Sequence, residues 1–271
     1  MIGENMTPKF SILIVTLNAA SEIKKTIQSV KDQTYSNYEV VVKDGKSKDG
    51  TLSYVPQDAH YKVCSKEDKS VYDGMNQAIS MAKGDYIVFL NAGDTFYDKN
   101  VLENVADYIE NNHIKNKCVL YGDYSRKDKL VQVQKKKLDN FYLYRRPLCH
   151  QSIFYSREIF KADIRYDINY KISADHDLTL KLWKNKVPFY HVGTVICTYM
   201  GDGISETSIG LKTAKHEKAE IVKKYYSSRQ RIIYNFIIAC SFSSVRAWMV
   251  SNRAPEFVRN GYRKIRNTLT K

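Results

Sequence analysis

The sequence lacks a long apolar stretch and has no clustered cysteines. Its longest apolar run is residues 232–245, and these 14 residues as a helix would cover about 21 Å, less than the roughly 30 Å hydrocarbon core of a bilayer. The five cysteines are widely spaced and show no CxxC or Cys/His spacing typical of a zinc site. No signal-peptide pattern opens the chain. We therefore expect a cytosolic protein with reduced thiols and without structural zinc or a membrane-spanning helix.

Positive charge is concentrated near one end of the chain. The net charge is +14, and residues 210–271 contain 14 Lys and Arg against 3 Asp and Glu. A basic tail on a nearly neutral body predicts an anionic partner, either nucleic acid or an anionic membrane leaflet. The run 232–245 and Trp248 favour the membrane, because an Ile- and Phe-rich segment is a poor surface for following a nucleic-acid backbone. A basic helical hairpin packed on the rest of the chain is the alternative.

Strand patterns alternate with helix patterns in the first part of the chain. Helix patterns cover about 21–32 and 70–84, and farther along 149–156 has a strand pattern and 173–185 a helix pattern. Strands and helices that alternate at this spacing predict right-handed βαβ units and a parallel sheet. Because the strands are almost continuously apolar, both faces of this sheet should be covered. The apolar runs assigned to strands in the first part are residues 10–17, 38–44, 61–65 and 86–90.

Polar residues follow these four strands where each of them ends. In an open α/β sheet, ligands bind beyond the carboxyl ends of the strands. Here those ends carry Thr16 to Asn18, Asp44, residues 64–68 and residues 91–94, so three of the four bring a carboxylate to one rim. Capped polar turns are the plain alternative, but this rim is where the sequence predicts a ligand site.

Four segments of the sequence carry a family resemblance. They are, in order, "SILIVTLNAA", "QTYSNYEVVVKDGKSKDGT", "YDGMNQAISMAKGDYIVFLNAGD" and "SADHDLTLKLW". Together they resemble the family 2 glycosyltransferases of the GT-A fold, and especially the bacterial enzymes of capsule, exopolysaccharide and lipopolysaccharide O-unit assembly. The resemblance covers roughly residues 9–205.

This resemblance implies the architecture of the chain. The fold class expected is α/β of the GT-A type, a Rossmann-like, doubly wound, mixed and mostly parallel sheet with a basic helical appendage at the C-terminus. The catalytic domain should cover residues 1–208, with a nucleotide-sugar half at about 9–115 and an acceptor half at about 116–208. Residues 209–271 should form a basic, amphipathic, helical region that associates with a membrane.

The resemblance also implies a nucleotide-diphosphate sugar lying across the strand ends, with UDP as the first expectation and GDP or dTDP next. Thr16, Asn18 and Asp44 match positions that hold the base and ribose. Lys69 is expected near a phosphate, with a solvated lysine as the alternative. Asp73 matches a position that faces the nucleotide, and the Asn91 side chain is expected to donate to the ribose or to a sugar hydroxyl. These two complete the set Thr16, Asn18, Asp44, Lys69, Asp73 and Asn91.

The segment "LNAGD" falls where the family usually has an aspartate-rich metal motif. Asn91 and Gly93 replace two of those aspartates, and only Asp94 remains. A divalent cation offsets the charge that develops on the nucleoside diphosphate as it leaves. Magnesium sites often use one or two carboxylates together with phosphate oxygens and water. The resemblance therefore implies Mg²⁺ or Mn²⁺ bound by Asp94.

The acceptor side has three candidate segments. In "SADHDL", Asp175 matches the general base that removes a proton from the attacking hydroxyl, with Asp177 as the second candidate; ordinary first-turn acids of a helix are the alternative to both. In "PLCHQSIFY", His150 and Gln151 are expected to orient the acceptor or the diphosphate, although a structural histidine is an open alternative. Gly203 in "GDGIS" is either part of a loop that closes over the diphosphate or a simple glycine turn.

Taken together, the sequence predicts an inverting, metal-dependent glycosyltransferase. Its acceptor would be a polyprenyl-diphosphate-linked or growing glycan of a bacterial surface polysaccharide, met on the cytoplasmic face of the cell membrane. A nucleotidyltransferase is disfavoured because "TLNAASE" lacks a glycine-rich basic loop after the first strand. A non-catalytic basic membrane- or RNA-binding protein that retains the fold is the alternative, since the metal motif is reduced.

Overall fold

The computed structural model describes residues 7–114, 117–127, 130–201, 206–241 and 255–261. Its strands are β1 (Phe10–Thr16), β2 (Tyr38–Asp44), β3 (Tyr61–Ser65), β4 (Tyr86–Phe89), β5 (Thr95–Phe96), β6 (Val119–Arg126), β7 (Val131–Gln132), β8 (Ile153–Ser156) and β9 (Phe189–Tyr199). Its helices are α1 (Ala20–Lys31), α2 (Val71–Ile79), α3 (Val101–Asn111), α4 (Asn140–Arg145), α5 (Glu158–Lys161), α6 (Ala174–Lys184), α7 (Ser208–Tyr225) and α8 (Ser228–Ser241). Trp248 and Gly203, for which the sequence predicts roles, lie outside the described residues.

The described strands form one mixed sheet. Its order is β3-β2-β1-β4-β8-β6-β9-β5, and β7 pairs with β6. The four longest ladders are parallel, namely β1 with β2, β1 with β4, β2 with β3, and β6 with β9. β8 runs antiparallel to both β4 and β6, so it joins the two parallel regions. The predicted fold class, a mixed and mostly parallel GT-A sheet followed by C-terminal helices, is confirmed.

The core explains why the apolar runs became strands. Every residue of β1 is buried, and its neighbours Ile12 and Leu13 on opposite faces have no exposed surface. α1 buries Ile23, Ile27 and Val30 against one face, with the three- and four-residue spacing of an amphipathic helix. Each such side chain contributes about 1.5–3 kcal/mol when it is removed from water. A sheet covered on both faces requires the continuous apolar pattern that β1 shows.

Two elements differ from the pattern-based prediction. The helix predicted over 70–84 ends at Ile79. Gly84, five residues farther on, lies so close to the start of β1 that an added Cβ would come within 2.7 Å of the Lys9 carbonyl oxygen. The strand predicted over 149–156 begins only at Ile153, and residues His150–Ser152 form a 3₁₀ turn instead. The helix predicted over 173–185 is present as α6.

The chain divides into two compact units, residues 1–218 and residues 219–271. The predicted catalytic domain, 1–208, lies within the first unit, and its functional boundary stays a prediction. Across the portion of the chain that the structure describes, no helix combines the length and the apolar character needed to cross a bilayer.

Candidate active site

The carboxyl ends of the first three strands in the sheet order lie side by side. Thr16 of β1 pairs in register with Asp44 of β2, and Asp44 pairs with Ser65 of β3. Thr16 and Asp44 are buried, and the Thr16 hydroxyl has no hydrogen-bond partner within the described part of the chain. A buried hydroxyl without a partner is costly and points to a missing ligand or water. These residues form the floor of the predicted nucleotide site.

Asp44 organises the loop that follows its own strand. Its carboxylate accepts hydrogen bonds from the Ser65 hydroxyl at 2.6 Å and from the backbone amides of Lys46 and Ser47 at 3.1 Å each. Burial by itself would raise the pKa of the Asp44 carboxyl, but the hydrogen bonds from Ser47, Ser65 and the loop amides hold it below its ordinary value. Asp44 is therefore ionised at neutral pH, and its predicted contact with the nucleotide remains a prediction.

The loop after β2 also caps α1. The Asn18 side-chain oxygen accepts from the Lys48 amide at 2.9 Å, and Asn18 itself has a φ of 49°, in the left-handed region that asparagine tolerates. Asp49 accepts from the Ala20 amide at 3.0 Å, and the Thr51 hydroxyl accepts from the Ala19 amide at 2.9 Å. These bonds satisfy the first amides of α1, which has no capping side chain of its own.

A buried lysine fixes the neighbouring loop between β3 and α2. Lys43 has no exposed surface, and its ammonium group donates to the Asp68 carboxylate at 2.6 Å and to the Lys66 carbonyl at 2.7 Å. Sequence analysis missed this pair because Lys43 occupies an ordinary strand position. A buried ion pair is by itself weak evidence for stability. The bonds from Lys43 to Lys66 and Asp68 nevertheless tie β2 to this loop, so Lys43 helps to set the course of the loop under the predicted site.

Lys69 and Asp73 form the start of α2. The Asp73 carboxylate accepts from the Lys69 amide at 2.9 Å, and the Asp73 amide donates to the Ser70 hydroxyl at 3.2 Å. The Ser70 hydroxyl thus caps α2, and the Asp73 carboxylate holds the residue before the cap. Lys69 is exposed, with its backbone tied to Asp73. Both remain candidates for the nucleotide side, where an exposed lysine is free to approach a phosphate.

The turn at residues 91–94 is held by α1. The Thr26 hydroxyl accepts from the Gly93 amide at 2.9 Å and donates to the Asp94 carbonyl at 2.8 Å. Gly93 has a φ of 105°, a conformation that side chains other than hydrogen rarely allow. The backbone conformation of the turn therefore favours glycine at position 93, where the family usually has an aspartate.

Asp94 joins three parts of the fold. Its carboxylate is 6% exposed and accepts from the Gln151 side-chain amide at 2.9 Å and from the Met200 backbone amide at 3.0 Å. Burial raises the pKa of Asp94, and the two hydrogen bonds and the charge of His150 oppose this only in part. The turn after β4, the 3₁₀ turn before β8 and the end of β9 thus meet at one carboxylate.

His150 links this turn to the base candidate. Its Nδ1 lies 3.5 Å from the Asp175 carboxylate, and its Nε2 lies 3.3 Å from the Asn91 side-chain nitrogen. Burial lowers the pKa of His150, but the hydrogen bond and negative charge of Asp175 raise it further, and the net shift is upward. The side-chain oxygen of Asn91 is buried without a hydrogen-bond partner in the described part of the chain.

Asp175 and Asp177 have different surroundings on the first turn of α6. The Asp175 side chain is 17% exposed and lies beside His150, whereas Asp177 is 3% exposed. His176 between them is structural, since its Nε2 lies 2.8 Å from the Leu143 carbonyl oxygen. Of the two predicted acids, Asp175 is the one that an acceptor could reach from the site.

The structure brings the predicted residues into three groups. One network contains Asn91, Asp94, His150, Gln151 and Asp175. Thr16, Asn18 and Asp44 lie at the ends of β1 and β2, and Lys69 and Asp73 at the start of α2.

The oxygen atoms of Asp94 and Asn91 fit a divalent cation that takes most of its ligands from a diphosphate and from water. Within the described ranges, no three His, Cys, Asp or Glu side chains form a metal-binding group. Asp94 supplies one carboxylate, and Asn91 supplies a buried oxygen that lacks a partner. Mg²⁺ or Mn²⁺ is often held by one or two protein oxygens together with diphosphate oxygens and water. The residues present are consistent with such a site.

Comparison with known proteins identifies the family. The family model described as glycosyl transferase family 2 matches residues 11–163. The chain belongs to this family. Among curated relatives of this glycosyltransferase, the PGL/p-HBAD biosynthesis glycosyltransferase of Mycobacterium bovis (strain BCG / Pasteur 1173P2) is 33% identical over 184 residues, which are 66% of this chain and 71% of that protein. The putative glycosyltransferase EpsE of Bacillus subtilis (strain 168) is 30% identical over 40% of this chain and 41% of its own length.

Solved structures of other glycosyltransferases share the fold. The crystal structure of S. aureus TarS 1-349 in complex with UDP-GlcNAc has a TM-score of 0.65 at 19% identity, covering 90% of this chain and 76% of that one. The mannosyltransferase PcManGT from Pyrobaculum calidifontis, in complex with GDP-Man and Mn²⁺, has a TM-score of 0.55 at 15% identity, covering 89% and 83%. At these identities the likeness establishes the fold, and membership of the family favours an enzyme over a non-catalytic protein.

Proposed function

We propose that this family 2 glycosyltransferase is an inverting enzyme that moves a sugar from a UDP-sugar to a hydroxyl of a lipid-linked or growing glycan, in the synthesis of a bacterial surface polysaccharide. The observation that carries the proposal is the connected chain Asn91–His150–Asp175, which joins the turn at the predicted donor diphosphate to an accessible carboxylate. Inversion requires the base and the leaving group on opposite sides of the anomeric carbon. Asp175 and Asp94 lie on separate elements, as that arrangement needs.

On the donor side, the nucleotide would lie across the ends of β1 and β2. The unpartnered Thr16 hydroxyl supports this placement, because a ribose or base atom would satisfy it. Asn18 and Asp44 shape the adjoining loop, and Lys69 at the start of α2 would meet a phosphate. UDP is the proposed nucleotide because TarS, which shares the fold, was crystallised with UDP and with UDP-GlcNAc.

The reaction follows from these placements. Asp175 accepts the proton of the attacking hydroxyl as its oxygen forms a bond to the anomeric carbon. The bond from that carbon to the diphosphate breaks, and the nucleoside diphosphate leaves with the electron pair. A divalent cation bound by Asp94 and Asn91 would offset the charge on the departing diphosphate. His150 orients Asp175 through its Nδ1, and Gln151 holds Asp94 in place.

The proposed function is tested with a panel of nucleotide sugars. UDP in the presence of Mn²⁺ is expected to raise the Tm of the purified protein by several degrees. A ligand at about 100 times its dissociation constant stabilises the folded protein by about 2.7 kcal/mol. GDP and dTDP are expected to raise it less. Release of UDP from UDP-sugars, followed with and without glycan acceptors, then measures transfer. A protein that no nucleoside diphosphate stabilises and that turns over no donor would rule out the proposal.

The second unit supports a proposed location at the cytoplasmic face of the cell membrane. On α8, Ile232, Ile233 and Phe236 are 70%, 44% and 47% exposed, and Arg229 and Arg231 lie on the same helix. Exposed apolar residues beside arginines are typical of helices that lie in an anionic membrane surface. A polyprenyl-diphosphate-linked acceptor would be met there.

Vesicle binding checks this location. The double variant Ile232→Glu/Phe236→Glu is expected to bind vesicles containing phosphatidylglycerol at least about tenfold more weakly than the unaltered protein, since each buried apolar side chain contributes about 1.5–3 kcal/mol. The matched control is Val133→Glu, which alters a 71% exposed apolar residue of the first unit. Co-sedimentation measures the binding. Equal loss in the control, or no loss in the double variant, would contradict membrane docking through α8 and favour a helix packed on protein.

A further inference from the structure

Three consecutive backbone amides just before α6 share one carboxylate. The amides of Lys171, Ile172 and Ser173 donate to Glu217 of α7 at 2.6, 3.0 and 2.8 Å. Glu217 is 6% exposed. All four residues belong to the first compact unit. Nothing in the reaction described above uses this carboxylate, although one of its amide partners, Ser173, lies only two residues before Asp175 along the chain.

The same segment is held from a second side by α2. The Tyr72 hydroxyl donates to the Ile172 carbonyl at 2.5 Å, and the Asn76 side chain exchanges two hydrogen bonds with the backbone of Tyr166, at 2.9 and 3.0 Å. The Tyr72 and Tyr166 rings are stacked at 5.5 Å. Burial raises the pKa of Tyr72 well above its ordinary value, so the hydroxyl stays a donor. Both backbone polar groups of Ile172 are thus hydrogen-bonded: its carbonyl accepts from Tyr72 of α2, and its amide donates to Glu217 of α7.

These contacts hold the chain at the N-cap position of α6 and just before it. Ser173 is at the N-cap position, but its side chain makes no capping hydrogen bond. A carboxylate that accepts from backbone amides makes charge-assisted bonds, which are stronger than neutral ones, and negative charge near a helix N-terminus is favourable. Glu217 therefore fixes the direction in which the chain enters α6, and with it the direction of the Asp175 side chain.

We propose that Glu217 is a positioning residue for Asp175, so that α7 supports the active site through this one side chain and is more than a connection to the basic tail. The inference rests on the proposed function, with Asp175 as base. It deepens that function by extending the site to a helix that the sequence assigns to the appendage. A displacement of about 1 Å in a reacting group costs up to about a hundredfold in rate, so the loss of this anchor should appear in kcat.

The test compares Glu217→Gln with Glu220→Gln, a matched change to an exposed glutamate on the same helix. Glutamine keeps the size of the side chain, but its amide nitrogen meets a backbone amide where a carboxylate oxygen accepted. We expect Glu217→Gln to lower kcat by about ten- to a hundredfold with the KM for the donor unchanged within about twofold. Glu220→Gln should keep the unaltered kcat.

A double variant separates positioning from simple support of the fold. If Glu217 acts through Asp175, Glu217→Gln should cost nothing further in the presence of Asp175→Asn, because the two changes remove one function. Hydrogen exchange of the 171–173 amides should rise in Glu217→Gln alone. An unchanged kcat, or losses that multiply in the double variant, would overturn the inference while leaving the transferase intact. An unaltered protein that no nucleoside diphosphate stabilises and that turns over no donor would instead overturn the proposed function, and this inference with it.

Discussion

The Asp175→Asn variant is expected to lose about a thousandfold in kcat, with the dissociation constant for UDP changed by less than about twofold. The amide has the size of the carboxylate and can still accept from the His176 amide, which lies 2.8 Å from Asp175 Oδ1. It cannot take the proton of the attacking hydroxyl. Because Asp175 is on α6 and the nucleotide would lie at the ends of β1 and β2, donor affinity should survive. Initial rates of UDP release and calorimetric titration with UDP measure the two quantities.

Asp177→Asn is the matched control, because it alters an acid on the same helical turn. Asp177 is 3% exposed, so its replacement should affect the Tm more than the reaction. We expect its kcat to stay within about threefold of the unaltered protein, as for a residue that does not act in the transition state. Loss of turnover in Asp177→Asn alone would transfer the role of base to that residue. Full turnover in both variants would place the base outside α6.

Strands β1, β2 and β4 could be predicted from the sequence because their burial has one local cause. β1, β2 and β4 are covered on both faces, so apolar side chains are favoured along them, and the runs at 10–17 and 38–44 stand out. β3 is an edge strand with Val63 44% exposed, so the predicted cover on both faces is wrong for this strand. The polar ends of the buried strands could be predicted for the same reason: a carboxylate such as that of Asp44, at the carboxyl end of a buried strand, must lie at the rim of a parallel sheet.

The prediction of a strand over 149–156 was wrong for residues 150–152, because their conformation depends on a residue far away along the chain. Gln134 donates to the Ser152 hydroxyl at 2.8 Å and accepts from the Cys149 amide at 3.1 Å. These bonds hold residues 150–152 in a 3₁₀ turn, which places His150 and Gln151 toward Asp175 and Asp94. Only the fold brings Gln134 to this turn, and no local pattern reports it.

The supporting residues of the site were invisible to sequence analysis for a related reason. Lys43, Thr26 and Glu217 act through partners 25, 67 and 44–46 residues away along the chain. None of them is unusual in its own element: Lys43 is in a strand, Thr26 in a helix, and Glu217 in a basic helix whose charged residues are expected to face solvent. Candidate catalytic groups could be named from chemistry, but the groups that hold them follow only from tertiary contacts.

The Asp94→Asn variant is expected to lose the Mn²⁺-dependent part of UDP stabilisation and to turn over at least about a thousandfold more slowly, since a metal ion supplies several kcal/mol of charge stabilisation to a departing diphosphate. Asparagine leaves one oxygen for the Met200 amide, and the Gln151 amide can rotate to accept from the new nitrogen. The shape of the turn should therefore survive. Thermal shift with UDP, measured with Mn²⁺ and with EDTA, separates metal-dependent from metal-independent binding.

The Tm of the Asp94→Asn variant without metal is an independent check. Whereas turnover and Mn²⁺-dependent stabilisation should fall in this variant, its Tm without metal should not. Burial raises the pKa of Asp94, so the native state binds this proton more tightly than the unfolded chain, and the ionised group lowers the free energy of unfolding as the pH rises through its native pKa. Removing the charge should therefore leave the Tm of the metal-free protein at neutral pH equal or higher, as for many buried functional carboxylates.

Asp98→Asn, which alters an exposed acid four residues farther along the chain, is the control and should keep both turnover and the Mn²⁺ response. A large fall in Tm for Asp94→Asn would mean that the carboxylate acts mainly as a structural acceptor for Gln151 and Met200. Full Mn²⁺ dependence in that variant would mean that the cation, if it binds, is held without Asp94.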